Sequence, residues 1–323
     1  MNKTYVILEI ARTYNSMEEA RELVKIASEN GANAIKIQTI VAKDLMVLNE
    51  NTKSYFHMLE SLERTKEEHL QIKSFCDDYG VHFLSTPESL DSVDLLDSVG
   101  VNAFKISSLD LVYDRLLKKV LEKGKPVYLS TGMATTEEIK HAVDLLSGIG
   151  HLLCLMHCSS LYPTPANNAN LNNIQYLKKF SNTVGYSDHT IGVDAPVLAV
   201  ALGASVIEKH FTLDRKQDGA DHEVGVDPFM LKEMMHRIRE AESMLGSDTR
   251  NLSIDERMMS QQKRRKMVTR TPLREGHIVS PDDFVCLQTK SVEGIDAKHM
   301  FELKGRQLKC DLEQNSILEW EMI

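Results

Sequence analysis

Lysine side chains stand inside two short apolar runs of this chain, where an unpaired charge is costly. Lys36 lies in the run AIKIQ and Lys105 in the run AFKIS, and hydroxyl residues end neighbouring runs such as HFLST and VYLS. Lysine supplies a point charge, and the hydroxyls supply short hydrogen-bond donors. We therefore predict a pocket for a small phosphate or carboxylate anion. For either lysine alone, a structural ion pair with Glu9 or Glu208 is the competing interpretation.

Histidines near the last apolar run are candidates for binding a divalent cation. His210 ends that run, and His222 follows in the loop GADH. Imidazole is a common ligand of such metals, with water and substrate filling the remaining positions. The spacing of these two histidines is not a ligand motif by itself. His157 and His189 are therefore alternatives, and each is equally well explained as a structural histidine.

A repeated order of strand, turn and helix has to position these residues. Eight repeated βα units predict a parallel sheet, and their number favours a closed (β/α)₈ barrel over an open doubly wound sheet. In a barrel the carboxyl ends of all strands share one face, so the polar run ends are expected to meet there. The predicted strands are VILEI (6–10), AIKIQ (34–38), HFLST (82–86), AFKIS (103–107), VYLS (127–130), LLCLMHCS (152–159), TVGYS (183–187) and SVIEKH (205–210). The predicted helices include 17–30, 66–79, 136–146 and 229–245.

The character of the sequence changes after residue 245. Residues 255–266, including the basic run KRRK, are polar and are interpreted as a solvated connector. Turn signals and short runs follow. We predict a barrel domain at 1–255, a linker at 256–262 and a small β-rich domain at 263–323.

Composition limits the classes of partner. The 323 residues carry a formal net charge of −9, which argues against binding of nucleic acid. No run approaches the roughly 18 apolar residues of a membrane span, and the first apolar run is too short for a signal peptide, so a cytoplasmic protein without a membrane partner is expected. The five cysteines are scattered without a CxxC pair, which disfavours a disulfide framework or a cysteine zinc site.

With these residues placed, the chain resembles the sialic acid synthase family, whose members condense phosphoenolpyruvate with an N-acylated hexosamine to make a nonulosonic acid. Eight strings carry the resemblance in chain order: GANAIKIQT, FLSTPES, FKISS, PVYLSTGM, HCSSLYPTP, VGYSDHTIG, GASVIEKHFT and DGADH. The segment KRRKMVTRTPLREGHIVSPDDF resembles the antifreeze-like (SAF) domain of that family. The resemblance implies a TIM barrel followed by a small β-rich SAF domain.

The resemblance also implies a role for each matched polar position. His210 and His222 become ligands of a divalent metal, usually Mn²⁺, with Mg²⁺ or Co²⁺ as alternatives. Glu9, Lys36 and Lys105 become the catalytic residues, and Glu9 matches an acidic residue near the metal. The implied phosphoenolpyruvate contacts are Lys36, Thr86, Lys105, Ser108, Ser130 and Ser160. The implied sugar contacts are Gln38, Asp110, Tyr162 and Lys290.

In the implied mechanism, the metal polarises the aldehyde of the open-chain sugar so that C3 of phosphoenolpyruvate can attack it. The lysines and hydroxyls hold the phosphate and carboxylate while water adds at C2 and phosphate leaves. Glu9 is the candidate for positioning or deprotonating that water.

Departures from the family pattern concentrate around the sugar. The first-strand motif EIGxNHxG reads EIARTYNS here, and the common SGE reads SLD at 108–110. Gly225 stands where a serine is frequent. Lys290 stands where members place an arginine on the N-acyl group across a dimer, and lysine cannot reproduce a bidentate guanidinium contact. We therefore expect a related deoxy or di-N-acylated sugar instead of N-acetylmannosamine.

Two other functions compete with this one. A 3-deoxy sugar acid synthase that uses an aldose phosphate shares the reaction logic but lacks an SAF domain. A catalytically inactive glycan-binding relative is compatible with the altered first-strand motif, but both lysines and both histidines are retained here. The resemblance also implies a homodimer with the SAF domain over the partner's barrel.

Overall fold

Eight parallel strands close into a barrel in the computed structural model of the protein, which describes residues 3–323. Each strand pairs with its sequence neighbour, and the first pairs with the eighth, as in Glu9 opposite His210. The strands are β1 Tyr5–Glu9, β2 Ala34–Thr39, β3 His82–Pro87, β4 Ala103–Ile106, β5 Val127–Ser130, β6 Leu153–Cys158, β7 Thr183–Asp188 and β8 Val206–His210. Every predicted strand overlaps one of these, so the predicted (β/α)₈ barrel is confirmed.

Helices connect successive strands and surround the barrel. Local signals fix several of their ends: in α4, Thr65 and Glu68 form a capping box, and Gly80 follows the last residue in a left-handed conformation. The helices are α1 Met17–Glu29, α2 Ala42–Leu45, α3 Lys53–Ser61, α4 Lys66–Tyr79, α5 Leu90–Val99, α6 Asp114–Leu121, α7 Thr136–Leu145, α8 Asn173–Leu177, α9 Asp194–Ala201, α10 Ala220–Val224, α11 Pro228–Leu245 and α12 Ile254–Lys263. None of the helices in the described range is long and apolar enough to cross a membrane.

Strict alternation along the strands divides side chains between the barrel interior and the surrounding helices. In β8, Ile207 packs in the large cluster shared with the helices, whereas Val206 belongs to a smaller cluster inside the barrel. Glu208 and His210 continue the inward series and line a cavity. The same period of two places Lys36 and Lys105 inside, because each follows an inward-facing alanine by two residues.

The inner cluster fills the amino-terminal part of the barrel. Ile7, Leu84 and Met156 are completely buried there, together with Val206. A ring of apolar side chains therefore closes the barrel below the charged residues. The polar groups occupy only the end towards which the strands run, as is usual for this fold.

Lys209 and Asp188 lie at the ends of β8 and β7 but face away from the interior. The Lys209 ammonium lies 2.6 Å from Asp188 Oδ2, and both side chains are completely buried. The Tyr186 hydroxyl and the Thr190 backbone N–H also donate to Asp188. This network is structural, because it lies on the outer face of β7 and β8.

Asp188→Asn is predicted to destabilise the barrel by about 3 kcal/mol, because it leaves the buried Lys209 without a countercharge. Chemical denaturation monitored by circular dichroism measures this loss. Asp78→Asn, at an exposed carboxylate on α4, is the matched control and should change the free energy of unfolding by less than about 0.5 kcal/mol. Equal stability of the two variants would contradict a structural role for the buried pair.

Residues Ser247–Ile323 form a second compact unit with a core of its own. Met267, Ile295 and Leu318 are completely buried in that core. The strands β9 Arg265–Thr269 and β10 Phe284–Gln288 pair antiparallel, and isolated bridges such as Leu273 with Leu312 join the rest. The SAF assignment of this unit stays a prediction.

The segment expected to be a solvated linker has regular structure. The two units divide between Gly246 and Ser247, and residues 256–262 lie within α12, which Ser253 and Glu256 start with a capping box. No residue of α12 is buried. Its residues are therefore mostly polar, as they would be in a solvated connector. In the basic run, Lys266 is buried on β9 and lies 2.7 Å from Asp296.

Candidate functional site

A cavity of about 500 Å³ opens at the carboxyl end of the barrel strands. Ten residues singled out from the sequence line it: Glu9, Lys36, Gln38, Thr86, Lys105, Ser108, Ser130, Ser160, Tyr162 and His210. They come from seven of the eight strands or from the loops that follow them. Alternation along the strands therefore brings together side chains that are far apart in the chain.

Two buried carboxylates hold the cavity lysines. The Lys36 ammonium contacts Glu9, donates to Thr86 Oγ1 at 3.2 Å and lies 3.9 Å from Glu208 Oε1. Lys105 donates to the same Glu208 oxygen at 3.0 Å. The competing ion pairs are therefore present, and they are compatible with the predicted anion pocket, because the same lysine heads also face the cavity.

Two groups of this network, Glu208 and Lys36, are suited to stay charged. Burial acts to raise the pKa of Glu208, but Lys105 and Lys36 lower it to about 2. Burial acts to lower the pKa of Lys36, but Glu208 and Glu9 raise it above its ordinary value. The opposite charges therefore outweigh the cost of burial for these two groups.

Serine hydroxyls form a cradle beside the lysines, around Gly132. The Gly132 backbone N–H donates to Ser108 Oγ at 3.0 Å, and a Cβ at this glycine would clash with Ser108 and Ser160. Ser130 Oγ is buried without a hydrogen-bond partner in the described chain. Unused hydroxyl groups beside two ammonium groups fit the oxygen atoms of a small anion.

Two buried imidazoles face the cavity with their ring centroids 5.5 Å apart, those of His189 and His210. His189 Nδ1 must donate to the Ser159 carbonyl at 2.7 Å, which leaves Nε2 to accept from the Tyr162 hydroxyl at 2.6 Å. His210 Nδ1 has no hydrogen-bond partner within residues 3–323. Burial lowers the pKa of both histidines to about 4, so both are neutral at pH 7, the form that ligates metals.

His222 is not among the residues that line the cavity, and its role as a ligand beside His210 stays a prediction. Its Nδ1 is hydrogen-bonded to Thr212 Oγ1 at 2.7 Å, and the short helix α10 presents the preceding residue, Asp221, to the cavity instead. Asp221 Oδ2 lies 3.6 Å from His210 Nδ1. The structure therefore brings His210 together with His189.

A metal ion fits this pair only with ligands from outside the chain. Nowhere in residues 3–323 do three or more His, Cys, Asp or Glu side chains form a group that could hold a metal. Two imidazoles and the unpartnered nitrogen of His210 are compatible with a divalent cation whose other positions are filled by water or substrate.

Two of the predicted sugar contacts are not in the cavity lining. Asp110 is buried in a turn after β4, where it accepts from Ser107 Oγ at 2.7 Å, and burial raises its pKa. Lys290 belongs to the second unit, where it is exposed with a φ of +56°. Gln38 and Tyr162 do line the cavity.

Four charged or aromatic lining residues were not predicted from the sequence. Tyr55 lies on α3, Arg12 follows β1, Glu88 follows β3, and Asp221 lies on α10. Glu88 continues the inward alternation from Thr86. The period of two along β3, extended past the end of the predicted strand, therefore indicates that Glu88 faces the cavity. Arg12 lies in the stretch that departs from the family motif, which is the only sequence signal for it.

Glu88 has a carboxyl group whose charge is disfavoured. Burial raises its pKa to about 7, against the opposing effect of Arg12, while Asp110 and Glu9 add to the rise and Lys36 opposes it. A raised pKa means that the folded protein keeps a proton that the unfolded chain releases near pH 4.5. The free energy of unfolding therefore falls as the pH rises through this interval.

Glu88→Gln is predicted to remove this pH dependence. Between pH 5 and pH 7, the stability of the variant relative to wild type should rise by about 2 kcal/mol, because glutamine does not titrate. Urea denaturation at several pH values measures it, with Glu67→Gln on the exposed face of α4 as control. Parallel profiles for wild type and Glu88→Gln would contradict the raised pKa.

Comparison with known proteins identifies relatives along nearly the whole chain. Residues 23–250 match the model of a family described as the NeuB family. An uncharacterized protein of Methanocaldococcus jannaschii is 41% identical over 98% of this chain and 94% of its own length. The N,N'-diacetyllegionaminic acid synthase of Legionella pneumophila is 34% identical over 99% of this chain and 94% of its own length.

A solved structure has a similar fold. The N-acetylneuraminic acid (sialic acid) synthetase of Leptospira borgpetersenii, in complex with citrate, superposes with a TM-score of 0.74 at 32% identity. The match covers 80% of this chain and 90% of that one.

Proposed function

Because the chain belongs to the NeuB family, as its sequence motifs indicated, we propose that it condenses phosphoenolpyruvate with the open-chain form of an N-acylated hexosamine. The products are a nonulosonic acid and inorganic phosphate. The observation that carries this proposal is the juxtaposition of Lys36, Lys105 and the serine cradle with two neutral histidines in one cavity. Synthases of N,N'-diacetyllegionaminic acid and sialic acid among the relatives support it.

The lysine and serine side of the cavity binds phosphoenolpyruvate in this proposal. Lys36 and Lys105 attract its phosphate and carboxylate, and Thr86, Ser108, Ser130 and Ser160 donate to their oxygens. The same groups stabilise the charge that develops when water adds at C2 and phosphate leaves, since they are already oriented by Glu9 and Glu208.

Glu9 has a second role in the proposal. It contacts Lys36, and its Oε1 accepts from the Ala11 backbone N–H at 2.7 Å. This fixes the carboxylate beside the lysine that binds phosphoenolpyruvate. Glu9 is thus placed to orient, or take a proton from, the water that adds at C2.

A divalent cation, with Mn²⁺ as first candidate, completes the site in the proposal. His210 and His189 are the residues that would hold it, because both line the cavity and His222 does not. When bound, such a cation supplies Lewis-acid polarisation of the sugar aldehyde. The His189 hydrogen bond to the Ser159 carbonyl keeps Nε2 free of a proton, and Nε2 would ligate the cation in place of its hydrogen bond from the Tyr162 hydroxyl.

The sugar is proposed to be a deoxy or di-N-acylated hexosamine. The exposed apolar side chains of Leu109 and Met133 line the cavity near Gln38 and Tyr162, so an uncharged, partly apolar acceptor fits. Leu109 replaces the glycine common in the family motif. The similarity to an N,N'-diacetyllegionaminic acid synthase supports the same class of sugar.

Further parts of the proposal concern the assembly. A homodimer, with the second unit acting as an SAF domain over the partner's barrel, and a cytoplasmic location are proposed from the motif resemblance. Light scattering of the purified chain tests the dimer. A monomer at all concentrations would contradict it.

Phosphate release from phosphoenolpyruvate with Mn²⁺ tests the reaction. Release is expected only when a hexosamine is added, and faster with a 2,4-diacetamido-trideoxyhexose than with N-acetylmannosamine. Lys105→Met should lower kcat/KM for phosphoenolpyruvate at least about 100-fold, since it removes a buried donor to the anion. Exposed Lys118→Met is the control. Preference for N-acetylmannosamine would refute the sugar class, and release with an aldose phosphate alone would favour a 3-deoxy sugar acid synthase.

Alanine substitutions separate the two candidate histidine pairs. His189→Ala and His210→Ala should each abolish Mn²⁺-dependent phosphate release and weaken Mn²⁺ binding measured by calorimetry at least about tenfold. His222→Ala should retain most of the Mn²⁺ affinity, because its ring faces Thr212. Loss of Mn²⁺ binding in His222→Ala, with binding retained in His189→Ala, would restore the pair that the motif resemblance implied.

A further inference from the structure

Two charged side chains, Arg12 and Glu88, face the cavity with atoms that nothing in the described chain satisfies. Arg12 Nε and Glu88 Oε2 are both buried and lack a hydrogen-bond partner. Buried polar atoms in folded proteins almost always have a partner, because the loss of water is otherwise uncompensated. A ligand or a bound water molecule is therefore the natural partner of both atoms.

Both residues sit beyond the strand ends that carry the anion-binding groups. Arg12 follows Glu9 in the loop after β1, and Glu88 follows Thr86 after β3. Both line the same cavity as Gln38. They are therefore placed to contact the sugar, which in the proposed reaction lies between phosphoenolpyruvate and the solvent.

The charges around this pair disfavour a second anion. Asp221 and Glu88 lie near Arg12, and Asp110 and Lys36 lie near Glu88, so three carboxyl groups accompany two cationic groups here. Burial acts to lower the pKa of Arg12, but Asp221 and Glu88 raise it, so the guanidinium stays charged. A sugar phosphate placed here would meet more negative than positive charge.

An amide is complementary to a guanidinium and a carboxyl group that face one cavity. Its carbonyl oxygen accepts from an arginine N–H, and its N–H donates to a carboxylate oxygen. A hydroxyl group donates and accepts through a single oxygen atom, whereas the amide presents its acceptor and its donor on two separate atoms that can reach both side chains. The pair thus has the donors and acceptors that distinguish an N-acylamino group from a hydroxyl.

We propose that Arg12 and Glu88 are specificity-determining residues that bind an uncharged N-acylamino substituent of the sugar and disfavour a phosphorylated one. The inference rests on the proposed function and names the sugar group that the site selects. Arg12 donates to the amide carbonyl, and Glu88 accepts from the amide N–H. Neither residue takes part in bond making.

Steady-state kinetics of Arg12→Met and Glu88→Gln test this inference. The KM for the 2,4-diacetamido-trideoxyhexose should rise about 10- to 100-fold in Arg12→Met, which removes the donor, and about tenfold in Glu88→Gln, which replaces a charged acceptor by a neutral one. The KM for phosphoenolpyruvate should stay within about twofold. Arg115→Met and Glu67→Gln, at exposed positions, are matched controls that should leave both values unchanged.

A comparison of several sugars as substrates distinguishes a role in specificity from a purely structural role. Wild type should prefer the diacetamido sugar to the analogue with one hydroxyl in place of an amide, and it should reject N-acetylmannosamine 6-phosphate. Both preferences should shrink at least about tenfold in Glu88→Gln. Efficient use of the 6-phosphate by wild type, or unchanged preferences in both variants, would overturn the inference.

Calorimetric binding of the diacetamido sugar separates this inference from the proposed function. Binding to wild type that is lost in Arg12→Met supports the inference even where no phosphate is released, whereas absent turnover with every sugar contradicts the proposed reaction. Failure of wild type to bind the sugar in the presence of Mn²⁺ overturns the inference. Arg12→Lys and Glu88→Asp replace any variant that does not fold, as judged by circular dichroism, and should show the same selective rise in sugar KM.

Discussion

The ion pairs across the barrel interior determine what the cavity can bind. Lys105 on β4 reaches Glu208 on β8, on the opposite side of the barrel, and Glu208 also lies within 3.9 Å of Lys36. Glu9 holds Lys36 from the neighbouring strand. Removing one partner of such a buried pair lowers the free energy of unfolding by about 3–5 kcal/mol. The carboxylates therefore both position the lysines and neutralise their charge. Because two carboxylates already neutralise two ammonium groups, further donors are needed for a polyanion, and the serine cradle is placed to provide them.

The deep part and the outer part of the cavity carry different kinds of side chain. Its deep part combines full charges with hydroxyl groups whose positions follow directly from strand geometry. Its outer part carries Arg12, Glu88 and Asp221 on loops and on α10, beside apolar Leu109 and Met133. Loops after barrel strands can change without disturbing the strand register, so substrate choice can vary while the reaction stays the same.

The sequence predicted the barrel and its deep polar residues well, because strand periodicity is a local property. Lys36 and Lys105 were assigned inward from the run pattern, and both face the cavity. His222 was assigned as a ligand by motif resemblance, and this stays a prediction: its Nδ1 is hydrogen-bonded to Thr212, and His222 is not among the residues that line the cavity. Asp110 was likewise drawn into a local hydrogen bond with Ser107. Composition alone could not distinguish an exposed helix such as α12 from a linker, although the capping pair Ser253 and Glu256 was visible in the sequence.

The apolar ring at the base of the barrel has a kinetic consequence. Ile7, Leu84 and Met156 fill the interior beneath the lysines, so the cavity is a blind well with its mouth at the carboxyl ends of the strands. In the proposed reaction, a sugar resting on Gln38 and Tyr162 covers whatever lies against Lys36 and Lys105. Phosphoenolpyruvate must then enter before the sugar, and inorganic phosphate must depart after the nonulosonic acid. A compulsory order of association and release is thus built into the shape of the barrel.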